Sequence, residues 1–245
     1  MNPLKAEVLL SAWEQGLNQP LLQRALILLV AAFPEVQPDT LVKLSIGQRD
    51  LRLLQLRKSL FGQKLLNTAV CPDCDERIEW ENQISDFLIQ PQESNAPGNE
   101  YVLDVDDYTL RFYLPSSLDI AVVSHCESAE QAQQQLLSRC LLKAERSGAS
   151  CDVNQLPDSV IEKLDQRIET LDPYADIRIQ LDCPECSHSW NVVFDIASFL
   201  WTEVNDWAER MLQMVYKLAA CYGWSEREIL SLSPVRRQLY FGMLS

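Results

Sequence analysis

Apolar residues recur at helical spacing over residues 4–33, and Pro20 and Pro34 interrupt the pattern, so the chain opens with two helices joined near Gly16 to Pro20. Beyond Pro38 a short apolar stretch, LVKLSI, leads to Ser45, with Gln48 three residues on. That pair reads as a capping box opening a helix through Phe61, and Gly62 suits its C-terminal end. A strand is expected at 66–70, and in the alternating segment RIEWENQI the residues Ile78, Trp80 and Ile84 share a side. Residues 90–99 (QPQESNAPGN) have the composition of a linker. Alternation over 101–105 and 108–114 predicts a hairpin turned at Asp106-Asp107. Helices are expected over 118–143 and 156–171, and strands at 177–181 and 189–194. From Asp195 apolar positions recur every three or four residues to Leu218, and Gly223 ends that helix. Ser225 and Glu228 form a second capping box, and Pro234 starts a last helix ending near Leu244.

Composition narrows the class. The 245 residues are 47% hydrophobic and 23% charged, with seven glycines, as expected of a packed globular chain. A formal charge of -14 works against the counterion release that drives nucleic-acid binding, so no nucleic-acid partner is expected. The longest apolar run, ALILLVAAF at 25–33, is about half of the ~18 residues that cross a bilayer, so no membrane partner is expected either. The opening MNPLKAEVLL lacks the features of a secretory signal, which predicts a cytoplasmic protein. One helix face departs from the acidic balance, with Arg49, Arg52, Arg57 and Lys58. It reads either as a solvated face or as a docking surface for an acidic partner.

The cysteines carry the chemistry. Cys71 and Cys74 form one Cys-Pro-x-Cys pair and Cys183 and Cys186 a second, each between two expected strands. A tight turn aims both sulfurs of such a pair the same way, and two pairs complete a tetrahedral zinc site. The 108 residues from Asp75 to Asp182 separate the pairs, where a minimal ribbon has roughly 15 to 20. Loop closure cost grows only logarithmically with length, and a self-folding insert brings its own ends together. The prediction is a split zinc ribbon holding one structural Zn2+. A redox dithiol would use one pair at a helix start, and disulfides require an oxidising compartment. Catalytic zinc keeps an open position that four thiolates do not leave. His188, two residues past Cys186, is either a substitute ligand or a polar residue of the knuckle turn. Cys126, Cys140, Cys151 and Cys221 share no spacing and read as core residues or free thiols. The chain has two histidines and contains no phosphate loop, nucleophile elbow or His-Glu-x-x-His helix, so no enzyme and no small-molecule substrate are expected.

Four stretches together resemble one family: LRLLQLRKSLFG, YTLRFYLPSSLD, LDPYADIRIQLDCPECSHSW and the C-terminal segment from FDIASFLW to the end. They look like the T-even phage baseplate hub assembly chaperones, whose relatives also occur in gene clusters for phage-tail-like contractile injection systems. The resemblance spans 41–244 and weakens over the first forty residues. It implies a role in building the baseplate hub, with hub, spike or other tail proteins as partners, in the cytoplasm or incorporated in the particle. A permanent baseplate subunit and a zinc-ribbon regulator are the alternatives; the acidic ribbon segment DCDERIEWEN counts against the regulator. The motif from Tyr222 to Leu230 resembles a helical hook of contractile-tail assembly proteins. Tyr222, Trp224 and Tyr240 beside Arg236 and Arg237 are residue types of interface centres, and equally of aromatic caps on a helical core. The family's glycine after each knuckle is replaced here by Asp75 and Ser187, which predicts slightly strained turns. The fold expected is α+β: a helical region 1–65, a first ribbon half 66–90, an inserted hairpin-plus-helices subdomain 91–176, a second ribbon half 177–195 and a helical hook 196–245.

Overall fold

The computed structural model describes residues 4–87 and 98–244, so the linker expected at 90–99 lies outside the described residues save for Gly98 and Asn99. Helices α1 (Ala6–Gly16) and α2 (Leu21–Ala32) form the expected opening pair. Glycine is required where α1 ends, because a Cβ on Gly16 would stand 2.4 Å from the Trp201 ring. Pro38 then starts a helix as well as ending the preceding pattern, so the apolar stretch opens as the short α3 (Pro38–Val42). Helix α4 (Ile46–Phe61) begins on the Ser45–Gln48 capping box and ends at Gly62. Strands β1 (Lys64–Val70) and β2 (Arg77–Gln83) pair antiparallel around the first cysteine knuckle, and a 3-10 turn, Ile84–Phe87, follows. Strands β3 (Glu100–Val105) and β4 (Tyr108–Tyr113) form the expected hairpin.

The single helix expected over 118–143 is instead three elements. Helix α5 (Ser117–Val123) stops, α6 (Ala129–Cys140) starts afresh on Ser128, and β5 (Leu141–Arg146) pairs with β4. The hydroxyl of Ser128 accepts the Gln131 N–H, a cap that separates the two helices. Ser147 and Gly148, both at positive φ, then turn β5 into the two-residue β6 (Ala149–Ser150). Helix α7 (Asp158–Leu171), strands β7 (Arg178–Asp182) and β8 (Ser189–Val193), and helices α8 (Ile196–Tyr222), α9 (Glu226–Ser231) and α10 (Pro234–Gly242) complete the chain.

Two compact units result: residues to Glu35 together with those from Ile196, and residues Val36–Asp195. The expected 1–65 region is divided between them. Among its described residues the first unit is helical throughout, with α1 and α2 packed directly on α8. Its core includes Leu10, Ala208 and Met211, flanked by Trp13 and Trp207. A second cluster, of Val215, Leu218 and Ile229, seats α9 and α10 on the end of α8.

Among its described residues the second unit holds three sheets, β1-β2, β3-β4-β5-β6 and β7-β8. The inserted part is thus a four-stranded sheet with helices, larger than the expected hairpin. Leu110, Phe112, Leu141, Val160 and Leu164 form the centre of its core between sheet and α7. Asp172, just past α7, binds the N-terminus of α4: the Ser45 hydroxyl donates to one carboxylate oxygen at 2.8 Å and the Gly47 N–H to the other at 2.9 Å. The Ile46 N–H donates to the Pro115 carbonyl at 3.0 Å. Helix α4 is therefore the common anchor of the segments at both ends of the insert's helices.

The basic face of α4 needs correction in the same terms. Arg49 and Arg57 are buried, Arg49 against Asp50 at 2.6 Å and Arg57 donating to the Gly62 carbonyl at 2.7 Å. Arg52 donates to the Gln48 carbonyl, which leaves Lys58 exposed. Neither a solvated face nor a four-residue docking surface describes it.

Candidate metal centre

Each cysteine pair sits at the tip of a two-stranded hairpin, and the two tips share one backbone design. The Cys71 N–H donates to the Glu76 carbonyl at 2.8 Å, and the Asp75 N–H to the Cys71 carbonyl at 3.1 Å. In the second tip the Cys183 N–H donates to His188 at 2.8 Å, and Ser187 to Cys183 at 3.0 Å. Asp75 and Ser187 both adopt φ +60°, the left-handed region that the expected glycines would enter without cost. The expected strain falls on those two positions.

The two tips converge. All four sulfurs lie within 4.8 Å of one another, with Cys71 to Cys186 at 3.7 Å and Cys74 to Cys183 at 3.5 Å. Bonded sulfurs would stand about 2.05 Å apart, so these are not disulfides. A tetrahedral ion with metal–sulfur bonds of about 2.3 Å separates its thiolates by about 3.8 Å, close to both distances. Cys71 and Cys183 are buried, and their partners lie nearer solvent. The donor set is all thiolate and leaves no open position, as in structural zinc sites.

Electrostatics at the cluster are compatible with a bound cation. The backbone N–H groups of Cys186 and Glu185 point at the Cys183 sulfur and bring its pKa down to about 7. Cys186 moves the other way. Despite donation from the His188 N–H, burial and the sulfurs of Cys74, Cys183 and Cys71 push it up to about 12. Backbone donors favour a thiolate at Cys183 while the neighbouring sulfurs oppose one at Cys186, an opposition that a bound divalent cation would relieve.

A second contact closes the ribbon, one that the sequence reading did not name. The rings of Phe87, after β2, and Phe194, after β8, stack with centroids 5.1 Å apart and planes at 3°. An aromatic residue shortly past each hairpin was the available signal. The His188 ring lies beside Trp190 at 5.9 Å and does not join the clustered ligand atoms. Asp106 and Asp107 occupy the hairpin turn, paired with Lys163 and Arg146. Of the other cysteines, Cys140 is buried and Cys221 exposed, with Cys126 and Cys151 between.

A family model, described as T4 bacteriophage base plate protein, matches residues 7–201, most of the chain. The chain belongs to that family. The match includes both knuckles of this base plate family member and the first helices, where the sequence resemblance was weakest, and ends at Trp201, a few residues into the hook. No curated protein and no solved structure matches the chain.

In the hook, Tyr222 stacks on Trp224 at 4.7 Å, and Tyr240 meets Trp224 edge-on at 4.9 Å. Arg236 is exposed, but Arg237 is turned inward and donates to the Leu230 carbonyl at 3.3 Å. Arg237 is therefore part of the hook's own packing.

Proposed function

We propose that this base plate family member is a non-enzymatic assembly factor for the baseplate hub of a contractile phage tail or a phage-tail-like injection system. One structural zinc ion, held by Cys71, Cys74, Cys183 and Cys186, locks the two halves of its ribbon. The convergence of four thiols from segments 108 residues apart carries the zinc reading, and family membership carries the assignment to tail building. When bound, the ion supplies charge and geometry only; four protein ligands leave no site for substrate or water. The chain's own part is to present the sulfurs on preformed knuckles.

Partners on this reading are hub, spike or other tail proteins, met through the hook, where Tyr222 and Arg236 are exposed and Trp224 and Tyr240 half-buried. Neither nucleic acid nor a small-molecule substrate is required, and no described helix is long and apolar enough to cross a membrane. The site of action is the cytoplasm in which tails assemble.

The test is co-purification of the tagged chain from cells carrying the whole tail gene cluster, with mass analysis of bound proteins and of finished particles. An assembly factor is recovered with hub or spike proteins and is absent from particles. A retained baseplate subunit is present in them, and recovery of no tail protein overturns both readings.

A further inference from the structure

The first unit carries two apolar surfaces that nothing in the unit covers. On α10, Val235, Leu239 and Met243 are 69%, 60% and 69% exposed. Their spacing of four residues places them in one stripe along the helix. Between α1 and α2 runs a groove lined by Val8, Ser11, Ala12, Leu26, Val30 and Ala31 among others, with a volume of about 570 Å³.

We infer that α10 of one copy docks in the α1–α2 groove of a second copy, making the protein a self-associating subunit. Length fits first: the stripe from Val235 to Met243, the C-cap of α10, and the α1 wall from Glu7 to Gln15 each span nine residues, about 12 Å at a helical rise of about 1.5 Å. Shape fits next, since Ser11, Ala12 and Ala31 in the lining are small and leave room for large side chains, as in the helix-in-groove mode of recognition. Charge completes the match. Glu7 lines the groove and Arg236 flanks the stripe, both exposed, and neither has an ion-pair partner among the described residues. Arg236 beside the stripe and Glu7 at the groove thus supply one opposite-charge contact that sets the register of the docked helix. The contact is small, so association in the micromolar range is expected.

Sedimentation equilibrium of the full zinc-supplemented chain, from about 1 to about 200 µM, reads the association directly. The wild-type chain should show concentration-dependent mass above the monomer. Leu239→Glu, and separately Val30→Glu, should raise the dissociation constant at least about tenfold, because each drives a charge into the apolar contact. Glu7→Arg and Arg236→Glu should each weaken it, and the double exchange should restore it, a recovery that a merely misfolded variant does not show. Circular dichroism of each variant reports folding. A wild-type monomer throughout the range, or association indifferent to Leu239→Glu and Val30→Glu, overturns the inference. So does a monomer whose α10 stripe is needed only to capture a tail protein. The proposed role in hub assembly stands or falls separately, on the co-purification.

Discussion

Strand β4 of the inserted sheet buries Tyr108, Leu110 and Phe112 on one face, whereas β8 of the ribbon buries none of its side chains fully. Both lie in the same unit, and both belong to sheets of short strands. The insert is held by a continuous apolar cluster shared with α7, of the kind that stabilises through area removed from water. The ribbon is two separate two-stranded hairpins, an arrangement marginal in water without further support. Four sulfurs and one stacked pair, Phe87 with Phe194, are what bring the hairpins together. On the proposed reading a metal ion takes the place of a core where the strands are too few to enclose one. The insert in turn brings the ribbon halves within reach of each other.

The contrast breaks most sharply at the metal. Cys71→Ser or Cys183→Ser, or chelation, should cost on the order of 5 kcal/mol or more, since metal binding and ribbon folding are one event. Hydrogen exchange should rise in β1, β2, β7 and β8 while β3, β4, β5 and α7 stay protected. The reverse experiment is Phe112→Ala, whose 1% exposed ring stands at the centre of the insert. A loss of about 3–5 kcal/mol is expected by denaturant melting, with metal stoichiometry unchanged. Phe87→Ala lies between, removing the stack but no ligand. About 2 kcal/mol should be lost, with a roughly tenfold weaker metal affinity read by competition with a chelator.

The smallest effect belongs to α4, which serves both regions. Burial raises the Asp50 carboxyl from 3.8 to about 6, against the opposing pull of its bond to Arg49. Between those values the folded state holds the proton that the unfolded state has lost. Stability therefore falls as pH rises from about 4 to about 6, by up to about 2 kcal/mol. Asp50→Asn should flatten that slope in thermal melts without altering metal content.

The same contrast explains what was legible in the sequence. Local chemistry marked the ribbon: the Cys-Pro-x-Cys repeats identified the turns, and Asp75 and Ser187, where the family resemblance led us to expect slight strain, prove to be left-handed. Both capping boxes, at Ser45 and Ser225, opened helices as expected. Non-local pairing hid part of the insert. Leu141, Leu142 and Lys143 are good helix formers and close the helix expected over 118–143, yet pairing with β4 makes Leu141–Arg146 a strand. The burial of Arg49, Arg57 and Arg237 was equally hidden, because their partners are the neighbouring Asp50 and the carbonyls of Gly62 and Leu230. Periodicity counts such residues as polar and places them outside.

Cobalt titration of the reduced, metal-free chain tests the central claim most directly, because Co2+ takes the zinc site and its absorption reports tetrahedral thiolate ligation. The account predicts a sharp endpoint at one ion per chain, displaced by one equivalent of zinc and lost in both Cys71→Ser and Cys183→Ser. No stoichiometric endpoint, or a tetrahedral thiolate spectrum that survives either substitution unchanged, would contradict it.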